Sequence, residues 1–292
     1  MPELVVETGS GICVCGRFAA NRASASGTLE RHKTPQSMSE PSNPAIEFSN
    51  VSFRLAVNRD LLCNVNLSVR SGETLMLLGR SGSGKTTCLK MINRLYSPTT
   101  GEVRVEGTPV AQWDVIKLRR RIGYAIQDVG LFPHYSVRKN VALVPRLEQW
   151  EPRRIDARVE EVLALVGMPA KEFADRYPHQ LSGGQRQRVG LARALAADPP
   201  ILLMDEPFGA LDPVTRAELQ MEFKKLQQKL AKTIVFVTHD VGEALLLGNR
   251  IGLMEAGKLR GVYGHEEFLR TPDASVKAYV DVFRAGQQMF QN

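Results

Sequence analysis

The residues that most clearly could carry out chemistry form a glycine-rich run that ends in a lysine and two threonines. The run follows an apolar segment at 74–78 and precedes a helical pattern at 85–95. Glycines let consecutive backbone N–H groups surround phosphate oxygens, and a helix N-terminus adds positive potential. We therefore predict a nucleotide phosphate site in which Lys85 reaches the β- and γ-phosphates and takes part in catalysis, while the Thr86 hydroxyl binds Mg²⁺. The predicted loop comprises Gly79, Arg80, Ser81, Gly82, Ser83, Gly84, Lys85, Thr86 and Thr87.

An acidic pair follows a second apolar segment, at 201–204. If that segment is a strand beside the phosphate site, its end places Asp205 near the Mg²⁺ ion and Glu206 near an attacking water. Glu206 is then expected to act as the general base. Acidic residues often end strands, so the pair alone is a weak signal. Its combination with the glycine-rich run makes the prediction specific.

A second glycine segment, Leu-Ser-Gly-Gly-Gln at 181–185, opens another helical pattern. Ser182 is placed to cap that helix, and the N–H groups at the helix start would form a second anion site. One chain already has a phosphate site, so the second is expected to serve the nucleotide of another copy, arranged head to tail. An ordinary capped helix would explain Ser-Gly-Gly taken alone. The residues assigned to this site are Ser182, Gly183, Gly184 and Gln185.

The spacing of apolar residues predicts the fold that carries these sites. Segments 201–204 and 234–237 are short and wholly apolar, as expected of buried parallel strands, and a helix is predicted between them at 213–230. Residues 137–180 have mainly helical character. The predicted fold class is α/β, with a parallel-sheet core, an antiparallel β subdomain and an α-helical subdomain. The antiparallel strands are predicted from alternating segments at 46–48, 65–69 and 102–105.

Composition narrows the class of protein. With 292 residues, 43% of them hydrophobic, the chain can bury a full core, and no apolar run approaches the roughly 18 residues that cross a bilayer. The formal charge of +7 is densest at 117–121 and 186–188. Because exposed aromatics do not interleave with these clusters, we interpret them as solvated helix faces and expect no nucleic-acid partner. The four cysteines match neither a disulfide scaffold nor a usual zinc pattern.

Residues 1–44 differ from the remainder of the chain. They are rich in Ser, Ala, Pro and Gly and lack apolar periodicity, so we expect a disordered N-terminal tail. Met38 is also a natural start, which leaves a second interpretation, an over-long gene prediction. Neither interpretation assigns chemistry to the tail.

Together, the motifs resemble those of the ATPase subunits of ATP-binding-cassette (ABC) transporters, which have a P-loop NTPase core. The resemblance covers roughly residues 45–270 as the ABC ATPase domain and leaves a short helical tail at 271–292. It implies that Gln127 belongs to a Q-loop that touches Mg²⁺, that His239 is the catalytic switch histidine at the γ-phosphate, and that Asp212 ends a nucleotide-contacting D-loop at 208–212. The implied cofactors are ATP and Mg²⁺, and the implied metal ligands are Thr86, Gln127 and Asp205.

The resemblance also implies partners. These are a second ATPase subunit, forming a homodimer, transmembrane permease subunits, and a solute-binding protein, with the chain peripheral to the cytoplasmic face of the plasma membrane. Segments 89–95, 131–134 and 233–240 look like ATPase subunits of importers for quaternary amines such as glycine betaine, choline and carnitine. The segment at 128–141 is the predicted permease-docking surface. A lipid-trafficking or export ATPase is the alternative, and a non-transport ABC protein ranks third.

Two positions depart from the ABC ATPase pattern. Leu55 aligns with the aromatic residue that usually stacks on adenine, and Phe53 lies two residues earlier, so we expect looser nucleotide selectivity. Arg80 replaces the small residue or proline that is common after the first loop glycine. Two interpretations of Arg80 remain: its side chain adds a phosphate contact, or it faces solvent.

Overall fold

The structure, a computed structural model, describes residues 44–56, 59–127, 129–209 and 211–289. The N-terminal tail expected at 1–44 therefore lies outside the described residues, apart from Pro44. Asp128 of the predicted docking segment and Ala210 of the D-loop lie outside them as well. Within the described ranges, no helix combines the length and the apolar character that crossing a membrane requires.

The described ranges form ten β-strands and eleven α-helices. The strands are β1 (Ile46–Ala56), β2 (Arg59–Val69), β3 (Thr74–Leu78), β4 (Thr100–Val105), β5 (Thr108–Pro109), β6 (Ile122–Ala125), β7 (Ile201–Asp205), β8 (Thr233–Thr238), β9 (Arg250–Glu255) and β10 (Lys258–Gly264). The helices are α1 (Lys85–Ile92), α2 (Val115–Arg121), α3 (Val137–Val141), α4 (Leu143–Leu147), α5 (Pro152–Leu165), α6 (Ala170–Phe173), α7 (Gly183–Leu195), α8 (Pro213–Leu230), α9 (Val241–Leu247), α10 (His265–Arg270) and α11 (Ala274–Met289). A 3₁₀ turn, Pro178–Gln180, precedes α7.

A six-stranded sheet forms the core, with the order β10-β9-β3-β8-β7-β6. Strands β9, β3, β8, β7 and β6 run parallel, and β10 pairs antiparallel with β9. Every residue of β3, β7 and β8 is buried, as expected for parallel strands covered on both faces. Because parallel strands end at the same edge of a sheet, the segments that follow β3, β6, β7 and β8 meet there.

A four-stranded antiparallel sheet, ordered β2-β1-β4-β5, covers one face of this core. Its inward side chains share an apolar cluster with α1 and the central strands; the cluster includes Phe48, Val65, Leu75 and Leu89. The three alternating segments of the sequence lie in β1, β2 and β4, and each strand extends beyond the predicted bounds. The antiparallel β prediction and the α/β fold class are therefore confirmed.

Helices α3 to α6 form the α-helical subdomain between β6 and α7. Their apolar faces share a second cluster with the other face of the parallel sheet, including Val159, Leu163 and Val189. Helix α5 ends at Leu165, and Gly167 follows with a φ of 68°, the left-handed conformation that commonly ends helices. Gly167 therefore acts as the C-terminal stop of α5.

Helix α8 begins and ends at the residues predicted from the sequence, but α1 is shorter than predicted. It ends at Ile92 instead of residue 95. Arg94 has a left-handed φ of 48°, and the Leu95 and Tyr96 N–H groups both donate to the Lys90 carbonyl. The chain therefore turns out of the helix while its apolar pattern continues, which periodicity alone does not reveal.

Candidate nucleotide-binding site

The glycine-rich loop joins β3 to α1, and its glycines are required by close packing. A Cβ on Gly79 would lie 2.2 Å from the Met254 carbonyl oxygen of β9. Gly84 has a φ of 102°, and a Cβ there would lie 2.6 Å from Leu62 Cδ2. Side chains at these positions would collide with β9 and β2, so the backbone can bend tightly only with glycine. The bend brings the loop to the carboxyl edge of the parallel sheet.

Lys85 begins α1 and turns its ammonium group back into the loop. Lys85 Nζ donates to the carbonyls of Gly79 at 2.7 Å and Arg80 at 3.0 Å, and it lies 4.0 Å from Glu206 Oε1. Burial lowers the pKa of Lys85, whereas the nearby carboxylates of Glu206 and Asp205 raise it. The structure thus places one cation, enclosed by the loop, against the acidic pair at the end of β7.

Asp205, at the end of β7, is bonded to the start of α1. Its Oδ1 accepts from Thr86 Oγ1 at 2.8 Å, and its Oδ2 accepts from Tyr124 OH of β6 at 3.4 Å. Burial raises the pKa of Asp205, and the bond from Thr86 opposes that effect. A hydroxyl and a buried carboxylate at this distance are oxygen donors that suit Mg²⁺. The donor chemistry of Thr86 and Asp205 therefore fits a magnesium ion.

Glu206 is held in a left-handed conformation, with a φ of 44°. This conformation costs a non-glycine residue roughly 1–3 kcal/mol, and it persists where the surroundings fix it. Here, the Glu206 N–H donates to Val237 O at 3.1 Å, and the Gly209 N–H donates to Glu206 O at 3.0 Å. The turn directs the carboxylate to His239, whose Nδ1 lies 3.1 Å from Glu206 Oε2.

Gln127 and Arg80 are placed at the rim of this cluster. Gln127 is exposed two residues after β6, and its carbonyl accepts from Gln187 Nε2 at 3.5 Å. The exposed Arg80 side chain lines a pocket of about 480 Å³ together with His239, Asp240 and residues of α11. The structure therefore groups the side chains of Lys85, Thr86, Asp205, Glu206 and His239. The side chains of Gln127 and Arg80 lie outside this cluster, and Arg80 contributes only its carbonyl, which accepts from Lys85.

The Leu-Ser-Gly-Gly-Gln segment caps α7 and packs on α8. Ser182 Oγ accepts from the Gln185 N–H at 3.2 Å, and Gln185 Oε1 accepts from the Ser182 N–H at 2.9 Å. This reciprocal pair is a capping box. A Cβ on Gly184 would lie 2.7 Å from Thr215 Cγ2 of α8. The neighbouring Asp212 caps α8 by accepting from the Thr215 N–H at 3.0 Å.

Three features of the structure were not assigned from the sequence. Phe53 stacks on Tyr96, with ring centroids 5.1 Å apart, whereas the Leu55 side chain is exposed. Tyr124 reaches Asp205 from the neighbouring strand. Glu243, buried in α9, bonds to Thr238 at the end of β8. Tyr124 could have been found from the sequence, because its hydroxyl group is a polar atom within an apolar strand that ends at the site.

Comparisons with known proteins show which family the chain belongs to. The profile of the family described as "ABC transporter" matches residues 62–209. The chain is 54% identical over 214 residues to the glycine betaine uptake system ATP-binding protein YehX of Escherichia coli, covering 73% of this chain and 69% of that protein. It is 47% identical over 247 residues to the choline transport ATP-binding protein OpuBA of Bacillus subtilis, covering 85% of this chain and 64% of OpuBA. The chain therefore spans less than two thirds of the length of relatives such as OpuBA.

Two solved structures share the architecture. One is the ATP-binding cassette MJ0796 in a dimeric, post-hydrolysis state bound to ADP and Pi, with 35% identity, a TM-score of 0.68, and coverage of 75% of this chain and 98% of that one. The other is cbiO1 from Clostridium perfringens, part of the ABC transporter complex cbiONQ, with 26% identity, a TM-score of 0.72, and coverage of 85% and 99%. Together with the family match, these similarities show that the chain belongs to the ABC transporter family and carries its ATPase domain.

Proposed function

We propose that this chain binds and hydrolyses MgATP to drive a separate membrane permease that imports a quaternary-amine osmoprotectant. The observation that carries the ATPase assignment is the hydrogen-bonded cluster at the carboxyl edge of the sheet. It joins the glycine-rich loop to the acidic pair and to His239. Similarity to proteins named for glycine betaine and choline transport supports the cargo.

Phosphate binding is assigned to the loop and to the start of α1. The backbone N–H groups at a helix N-terminus and the Lys85 ammonium provide positive potential for the β- and γ-phosphates. Thr86 and Asp205 would hold Mg²⁺, with Gln127 as a further ligand from the rim. When bound, the ion would neutralise part of the negative charge of the phosphate groups. The hydrogen bond from Thr86 to Asp205 holds these two oxygen donors side by side.

Proton transfer is assigned to Glu206. Its carboxylate lies 4.0 Å from Lys85 Nζ and 3.1 Å from His239 Nδ1, so it faces the phosphate-binding lysine with one oxygen and the histidine with the other. In this role Glu206 takes the proton of the attacking water at a carboxylate oxygen. His239 orients that carboxylate and contacts the γ-phosphate. The fixed backbone turn at Glu206 reduces the reorganisation that this step requires.

The second anion site is assigned to the nucleotide of a partner copy. Ser182 and the two glycines after it lie at the N-terminus of a 13-residue helix, packed beside the Asp212 cap of α8. Two copies arranged head to tail would place this helix start against the partner's glycine-rich loop. MJ0796, solved as a dimer, supports a dimeric state. A homodimer closing on two ATP molecules is therefore proposed.

Permease docking is assigned to the described part of segment 128–141. Phe132 is 40% exposed, and its loop is fixed by the buried Asn140, which accepts from the Phe132 N–H at 2.8 Å and donates to the carbonyls of Phe132 and Tyr135. The aromatic ring lines a groove of about 320 Å³ that also includes Tyr124 and Arg193. A rigid apolar tip beside a groove suits a helix from a membrane subunit. The chain would then lie peripherally at the cytoplasmic membrane face, in a complex that includes a solute-binding protein.

Uptake by cells tests the proposed cargo. Labelled glycine betaine, choline and carnitine are supplied under osmotic challenge to cells with and without the gene, in a background that lacks other importers. We expect uptake to be lost with the gene and restored by wild type but not by Glu206→Gln. Unchanged uptake would reject the osmoprotectant cargo. Phosphate release by the purified chain tests the ATPase assignment separately.

A further inference from the structure

A buried glutamate, which is not part of the hydrogen-bonded cluster at the candidate site, links three elements next to His239. Glu243 lies in the first turn of α9, and only 6% of its surface is exposed. Its Oε2 accepts from Thr238 Oγ1 at 2.5 Å, at the end of β8. Its Oε1 accepts from Gln220 Nε2 of α8 at 2.9 Å. One carboxylate therefore connects β8, α8 and α9.

The same residue also ties down the turn after β8. The Glu243 N–H donates to Asp240 Oδ1 at 3.1 Å, and Thr238 Oγ1 accepts from the Asp240 N–H at 2.9 Å. Both neighbours of His239 in the chain are therefore hydrogen-bonded to Glu243 or to its partner. The His239 side chain itself is 53% exposed and contacts Glu206. Its direction consequently depends on the backbone that Thr238 and Asp240 define.

Burying a carboxyl group at this position costs free energy, which its hydrogen bonds must offset. Burial raises the pKa of Glu243, with Asp240 adding to that effect, while the bonds from Thr238 and Gln220 lower it. An apolar residue of similar size would avoid the desolvation penalty. It could not accept from two donors on different elements at once. The two acceptor oxygens therefore explain why a glutamate suits this buried site.

We propose that Glu243 is a positioning residue for His239, acting through the hydrogen bonds that fix Thr238 and Asp240. The proposal rests on the proposed function, because that function gives His239 its role. Glu243 orients the imidazole towards Glu206 without touching the nucleotide. Through Gln220 it also joins this turn to α8, the helix that begins beside the second anion site.

Steady-state kinetics of the purified full chain test the proposal, together with MgATP binding and thermal unfolding. We expect Glu243→Ala to lower kcat at least about tenfold, since small displacements of catalytic groups have effects of this size, and to leave MgATP affinity unchanged. Glu243→Gln should restore most of the rate. Its amide oxygen accepts from Thr238, and a flipped Gln220 amide can accept from its nitrogen. If Glu243→Ala does not fold, Thr238→Val removes the same link and should show the same loss of kcat.

Glu73 offers a matched control at the opposite end of the sheet. This glutamate is 8% exposed, is paired with Arg250, and accepts from the Arg70 N–H at 2.8 Å. Assayed below the unfolding temperature of every variant, Glu73→Ala should lower Tm without lowering kcat.

Four results would overturn the positioning role. The first two are a folded Glu243→Ala with wild-type kcat and a Glu243→Gln variant as slow as Glu243→Ala. The third is a loss of MgATP affinity in Glu243→Ala as large as its loss of kcat. The fourth is a loss of kcat in Glu73→Ala as large as that in Glu243→Ala. A wild-type chain that does not hydrolyse ATP would instead reject the proposed function.

Discussion

Replacing Glu206 by glutamine separates nucleotide binding from hydrolysis at this site. The amide keeps the size of the side chain, and its oxygen can still accept a hydrogen bond from His239 Nδ1, now 3.1 Å from Glu206 Oε2. It cannot take a proton from water at neutral pH. The substitution therefore removes the proposed general base while conserving the geometry of the cluster.

The expected loss of rate follows from the size of general-base catalysis. Removing such a base costs about 10²–10⁴ in rate, and at about 1.36 kcal/mol per factor of ten the barrier rises by about 3–5 kcal/mol. The binding effect has the opposite sign. At the 4.0 Å separation of Lys85 Nζ and Glu206 Oε1, the attraction of two unit charges is at most about 4 kcal/mol at an effective dielectric constant near 20. Without the Glu206 carboxylate, Lys85 no longer pairs with it and can bind phosphate instead. The repulsion between that carboxylate and the triphosphate is also removed, so MgATP affinity should not fall.

Three measurements on the same preparation check this reasoning. Phosphate release gives kcat, a fluorescent nucleotide titration gives the Kd for MgATP, and light scattering after gel filtration gives the mass with and without MgATP. We expect a kcat at least about a hundredfold lower, an equal or tighter Kd, and a dimer that persists with MgATP. Glu218→Gln, at an exposed position of α8, is the matched control and should behave as wild type. A Glu206→Gln variant that retains a tenth of the wild-type rate would refute the assignment of the base.

Three other substitutions test separate parts of the proposal. Burial raises the pKa of Asp205, so the ionised carboxylate destabilises the Mg²⁺-free fold as pH rises through that pKa. Asp205→Asn should therefore raise Tm at pH 7 and abolish the Mg²⁺ dependence of ATP binding. An unchanged Tm would contradict this reasoning. Phe132→Ala should abolish uptake while basal ATP hydrolysis continues, since the exposed ring lies outside the cluster; normal uptake would exclude the docking role. Leu55→Tyr should tighten ATP binding about fivefold or more, because stacking on a base is worth about 1–3 kcal/mol. An unchanged Kd would show that this position does not contact adenine.

Short-range patterns in the sequence determined the elements and the identity of the main motifs. Helix α8 has the bounds that the sequence predicts, because the signals at its start are local: Asp212 caps it and Pro213 suits its first position. The glycine-rich loop was predicted for the same reason, since its strand, bend and helix are contiguous in the chain. The prediction for α1 was wrong at its C-terminus, where the backbone turn after Ile92 overrides the apolar pattern.

Contacts between residues far apart in the chain were decided by the tertiary structure alone. Tyr124 and Asp205 are 81 residues apart, and they meet because β6 and β7 are adjacent and parallel. Glu243 and Gln220 meet because α8 and α9 pack together, and their spacing carries no periodic signal. The sequence therefore predicts which residues bind a nucleotide, because loops and caps are local. The order of the strands decided which of those residues lie together, because hydrogen-bond geometry depends on the packing of whole elements.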